Sequence, residues 1–74
     1  MAFDYSKLLG RIVEKYGKQG AFAKAMNLSE RSLSLKLNNH RFFDQEEISR
    51  ACELLEIDGD SVAQYFFTLK VQRA

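Results

Sequence analysis

A chain of 74 residues has room for one domain, and that domain buries only about 60% of its unfolded surface, so extra stability has to come from a good helical core or a second copy. Cys52 is the only cysteine and His40 the only histidine, which excludes an internal disulfide and a four-ligand zinc site. The net charge of +1 conceals a split: residues 1–43 carry eight cations against three anions, and residues 44–74 carry seven anions against three cations. Either the basic half faces an anionic partner, or the charges are solvated and scattered by chance.

In chain order, the first segment mixes Asp4, Lys7, Arg11, Glu14 and Lys15 into its apolar residues. It therefore lacks the continuous apolar run of a signal peptide, and no stretch reaches the roughly 18 apolar residues of a membrane span. A reduced, cytoplasmic compartment is expected. Leu8, Leu9, Ile12, Val13 and Tyr16 share one helical face, which predicts a helix over about residues 5–16. Asp4 or Ser6 is placed to cap its start, and Gly17 can take the positive φ of a helix end. Residues 18–26 predict a second, shorter helix with Phe22, Ala23 and Met26 inward. Asn27 interrupts it, Ser29 caps a third helix, and Leu33 and Leu37 form that helix's buried seam as far as Asn38-Asn39.

Asp44-Gln-Glu-Glu47 has the form of a capping box, and Ile48, Ala51, Cys52 and Leu55 follow it at i, i+3, i+4 and i+7. That pattern predicts a fourth helix, with Cys52 as a small core residue. Glu46 and Glu47 read as helix-start electrostatics and not as a catalytic pair. After a break at Gly59-Asp60, Val62, Tyr65 and Phe66 supply a short fifth helix. Tyr65-Phe66-Phe67 fits core or interface better than a base-stacking platform. Phe67, Leu69 and Val71 then alternate with polar residues, the period of a half-buried strand. No second strand is visible in the sequence, so the tail at 67–74 is expected either to pair with another copy or to remain a tail.

The segment around 18–37 meets the local demands of a helix-turn-helix. A small residue, Ala23, sits where a second helix can cross closely. Asn27, four positions on, tolerates left-handed backbone, and Leu33, six further, anchors the second helix. Leu28 is the apolar turn residue.

On these residues, and on the stretch Asn-Leu-Ser-Glu-Arg-Ser-Leu-Ser-Leu-Lys-Leu-Asn-Asn, the chain resembles the lambda repressor and Cro family over about residues 6–66. Its opening Phe-Asp-Tyr-Ser-Lys-Leu and closing Tyr-Phe-Phe-Thr-Leu-Lys-Val are similar to short phage-encoded, Cro-like proteins of Gram-positive hosts. It departs from the family with Asn27 and Asn39 where glycine is typical, and with Lys36 at a commonly apolar position. The resemblance implies an all-α, five-helix, lambda-repressor-like DNA-binding domain spanning residues 1–74, ending in a short C-terminal β-strand or tail.

The same resemblance implies a repressor that reads an operator in double-stranded DNA. Glu30, Arg31, Ser34 and Leu35 would face base edges in the major groove, with Arg31 pairing bidentately with guanine. Gln19 and Ser29 on one side, and Lys36, Asn38, Asn39, His40 and Arg41 on the other, would contact phosphates. Each has a plainer reading as a solvated or loop residue. One module buries only about 600–1,000 Å² on DNA, so a homodimer is expected, joined through Phe67, Leu69 and Val71. No cofactor, metal or small-molecule ligand is expected. An enzyme is not expected either, because no nucleophile–base set, phosphate loop or paired carboxylates appear. The competing expectation is a helical protein-interaction module, an antirepressor or adaptor that has lost DNA binding. The modest net charge and the acidic second half favour it, and Arg31, Lys36 and Arg41 beside an intact turn speak against it.

Overall fold

The computed structural model describes residues 2–71. Five α-helices follow one another: α1 (Ser6–Tyr16), α2 (Gln19–Ala25), α3 (Glu30–Leu37), α4 (Gln45–Leu55) and α5 (Val62–Phe66), the last preceded by a 3₁₀ turn at Gly59–Ser61. Local chemistry sets most of their ends. Asp4 Oδ1 accepts from the Ser6 N–H (2.8 Å) in a turn just ahead of α1, but the cap position is Tyr5 and carries no side-chain cap bond, so neither Asp4 nor Ser6 caps the helix as expected. Gly17 ends it at φ +80°. Ser29 Oγ accepts from the Ser32 N–H at 3.0 Å and caps α3. Asp44 and Glu47 form the full capping box of α4, with reciprocal bonds of 2.8 and 2.9 Å. Asn27 (φ 60°) and Asn39 (φ 65°) take the left-handed backbone expected of them, and Glu56 (φ 54°) does the same at the end of α4.

The core is one cluster drawn from every helix. Leu8 and Ile12 of α1, Phe22 of α2, Met26 just beyond it, Leu33 of α3, Leu55 of α4 and Phe66 of α5 are all fully buried. Each such side chain contributes about 1.5–3 kcal/mol by leaving water. Two expected faces are narrower than their spacing suggests. Val13 is 57% exposed, so α1 buries its stripe without it. On α4, Ala51 and Leu55 are buried, whereas Ile48 and Cys52 are half-buried and open onto grooves.

The C-terminal expectation needs correction. Among the described residues there is no sheet, and Leu69 makes one isolated antiparallel bridge to Phe3. The Asp4 N–H donates to Thr68 O (2.7 Å), and the Lys70 N–H donates to Ala2 O (3.0 Å). The tail's backbone therefore finds a partner in the chain's own first residues and does not need a second copy for it. Ala2–Asp4 is too short to show an alternation, so its pairing has no sequence signature. Residues 72–74 of the expected strand lie outside the described residues. No helix among the described residues is long and apolar enough to cross a membrane.

Candidate interaction faces

One end of the molecule is formed by α2, the turn at Asn27 and α3. Of the residues expected to read bases, Glu30 and Arg31 are exposed in the first turn of α3, and Ser34 and Leu35 are half-buried. Arg31 forms no ion pair among the described residues. Glu30 does not project freely. Its carboxylate lies against Gly20 of α2, where a Cβ would overlap it. It therefore places a negative charge at the start of α2, where a phosphate held by exposed Gln19 would have to sit.

Several expected phosphate contacts are engaged within the fold. Lys36 pairs with Glu47 (2.9 Å), both side chains nearly covered, and its Nζ also donates to Phe42 O at 3.0 Å. Its commonly apolar position is explained: the stem is buried and the ammonium bridges α3 to the start of α4. Asn38 Nδ2 turns back along its own helix to Ser34 O (2.8 Å). Asn39 holds the N-terminal segment, its Oδ1 accepting from the Phe3 N–H (2.8 Å) and its Nδ2 donating to Phe3 O (3.0 Å). The Ser29 hydroxyl is occupied as the α3 cap. Of this set Gln19, His40 and Arg41 are exposed with no side-chain hydrogen bond or ion pair among the described residues, Ser29 and Asn38 are exposed but bonded within α3, and Asn39 combines its left-handed backbone with the clamp on Phe3.

The expected basic face is also thinner than the sequence count. Lys15 pairs with Glu56, Arg11 pairs with Glu14 and donates from Nε to Leu55 O (2.9 Å), and Lys7 bonds Gln64 while lying 4.9 Å over the Tyr65 ring. With Lys36, four of the eight cations in residues 1–43 are thus engaged inside the fold. Lys18, Lys24, Arg31 and Arg41 form no ion pair among the described residues.

A second face, singled out in the sequence only through Tyr65-Phe66-Phe67 as core or interface, lies where the loop after α3 meets α5, the segment at Phe3–Tyr5 and the residue after α5. An apolar cavity of about 280 Å³ is walled by Tyr5, Phe43, Ile48 and Phe66 and bordered by Phe3, Phe42 and Phe67. The buried rings meet edge to face, Tyr5 with Phe43 at 5.6 Å and Phe43 with Phe66 at 5.4 Å, and at the rim half-buried Phe3 meets exposed Phe67 in the same way at 6.1 Å. Phe42, by contrast, is 76% exposed, and Phe67 and Leu69 are each 51% exposed. Large apolar side chains gathered at one opening, on so small a surface, mark a docking region better than scattered singles would. The available signal was the doublet Phe42-Phe43: neighbours in an extended loop point opposite ways, so one of them had to face solvent.

Comparison with solved structures finds a match in the solution structure of the modulator of repression of the temperate bacteriophage TP901-1 from Lactococcus lactis. The two chains are 49% identical, the match covers 97% of each, and the TM-score is 0.81. Among curated proteins none matches the chain. A family pattern matches residues 1–69, nearly the whole length, and by that match the chain belongs to the family described as protein of unknown function DUF739.

Proposed function

We propose that this chain is a phage-type regulator that modulates repression by protein contact, engaging a repressor protein through the aromatic groove. The observation that carries this reading is the exposed pair Phe42 and Phe67 at the mouth of an apolar cavity, in a chain 49% identical to a modulator of repression. Protein interfaces concentrate their energy in a few aromatic anchors seated in dry pockets, and this face offers both anchor and pocket. The α3 end offers less to a duplex. Lys36, Asn38 and Asn39 are held internally, and Glu30 guards the start of α2.

The test uses the cognate phage repressor on a labelled operator duplex, followed by fluorescence anisotropy. Added chain changes the repressor's hold on its operator, and alone it leaves the duplex signal flat. Phe42→Ala weakens the effect by about tenfold or more. A second reading, a Cro-like helix-turn-helix repressor reading the major groove with α3, is favoured by exposed Arg31, which has no ion-pair partner among the described residues. If the chain alone binds the duplex, with affinity falling steeply as salt rises, this second reading replaces the first.

A further inference from the structure

The far side of α4 carries a separate groove of about 390 Å³, opening between that helix, the 3₁₀ turn and α5. Its apolar lining comes from Ile48, Cys52, Ile57 and Val62. Burial pushes the Cys52 thiol's pKa up, so the thiol stays neutral and behaves as part of that lining. The polar lining includes Glu53, and Gly59 enters the groove with Asp58 and Asp60 on either side of it in the chain. All three carboxylates are exposed, and none forms an ion pair among the described residues, whereas Glu14, Glu47 and Glu56 are each paired with a cation. No lysine or arginine lines the groove. Ile48 also lines the aromatic cavity, so the two openings adjoin across the start of α4.

We propose that this groove binds a basic amphipathic segment of the partner, apolar side chains entering between Ile48 and Val62 while lysines or arginines meet Glu53, Asp58 and Asp60. The inference deepens the reading above, since the segment is assigned to the repressor protein. Charge complementarity selects it. Unpaired anions beside an apolar slot repel an acidic or nucleic-acid ligand and attract a cationic one, and they steer its approach more than they add to its final affinity. A solvated acidic face would have no need of the apolar slot, and an apolar slot alone would have no preference of sign.

The experiment has two arms. In the first, the ¹⁵N-labelled chain is titrated with a short synthetic helix bearing leucines on one face and lysines on the other, and with its glutamate counterpart. The lysine helix shifts the amide signals of Ser49, Cys52, Glu53 and Gly59, more weakly as salt is raised, and the glutamate helix shifts none. The triple variant Glu53→Gln, Asp58→Asn, Asp60→Asn loses binding about fivefold or more at an unchanged thermal midpoint, and Ser49→Arg, which brings a cation to the groove wall, does the same. Shifts confined to Phe42 and Phe67, or equal binding by the triple variant, overturn the proposal. In the second arm the same variants meet the phage repressor. Full repressor binding by the triple variant overturns this inference and leaves the proposed function standing. A wild-type chain that ignores the repressor overturns the proposed function, while the peptide arm still decides the chemistry of the groove.

Discussion

Asn39 ends α3 in the left-handed region, and from there its side-chain amide reaches the backbone of Phe3, 36 residues away, with both a donor and an acceptor. A residue in this position has two separable tasks. Asparagine tolerates positive φ at little cost, whereas alanine there loses about 1 kcal/mol or more. The paired hydrogen bonds add about 1 kcal/mol each. Asn39→Ala is therefore expected to cost about 2–3 kcal/mol in urea unfolding, and Asn39→Gly, which keeps the backbone and drops the clamp, about 1–2 kcal/mol. Equal losses in the two variants would mean that the clamp accounts for the whole effect and the left-handed backbone for none of it.

Adjacent Phe42 and Phe43 sit on one short segment between α3 and α4 and divide its two jobs. Phe43 is buried between Tyr5 and Phe66, and Phe42 faces solvent beside the groove. Phe43→Ala is expected to destabilise the fold by about 3–5 kcal/mol. Phe42→Ala should leave stability within about 0.5 kcal/mol while reducing partner binding about tenfold. Thermal melts and the anisotropy titration separate the two, and a large loss of stability for Phe42→Ala would mean that its ring is structural. The pairing of the two chain ends belongs to this scale too. Ending the chain after Phe67 removes Thr68 and Lys70, the partners of Asp4 and Ala2. The expected cost is about 1–2 kcal/mol for two backbone bonds, with solution mass changed only by the residues removed. A halved mass would restore the expectation that the tail joins two copies.

Across the whole molecule, charge is arranged to close the fold before it meets anything else. The carboxyl of Glu56 is held below its ordinary pKa by its hydrogen bond and charge attraction to Lys15, and that of Asp4 by its hydrogen bonds with Ser6. A depressed folded pKa means that the unfolded chain binds protons first as acid is added. The stabilisation is thus complete above the ordinary carboxylate pKa and is lost as the pH falls through the folded values. Thermal midpoints measured on descent from neutral pH should fall across the carboxylate range, and Lys15→Ala should flatten part of that slope. A Lys15→Ala profile parallel to wild type would remove Glu56 from the account.

The sequence by itself determined the helices and several of their ends, because those depend on residues within about four positions of one another, though not the left-handed Glu56 that closes α4. The stripe Leu8 and Ile12, the cap at Ser29, the box Asp44–Glu47 and the left-handed Asn27 and Asn39 are all local chemistry, and all are present. Only the tertiary structure decided which polar groups remain free, because that depends on what a distant segment brings near. Lys36, Asn38 and Asn39 looked like donors for phosphate until α4, the preceding turn of α3 and Phe3 took them. The tail looked partnerless until Ala2–Asp4 lay beside it. The aromatic groove was hidden for the same reason: Tyr5, Phe43 and Phe66 are far apart in the chain, and only their packing leaves Phe42 outside.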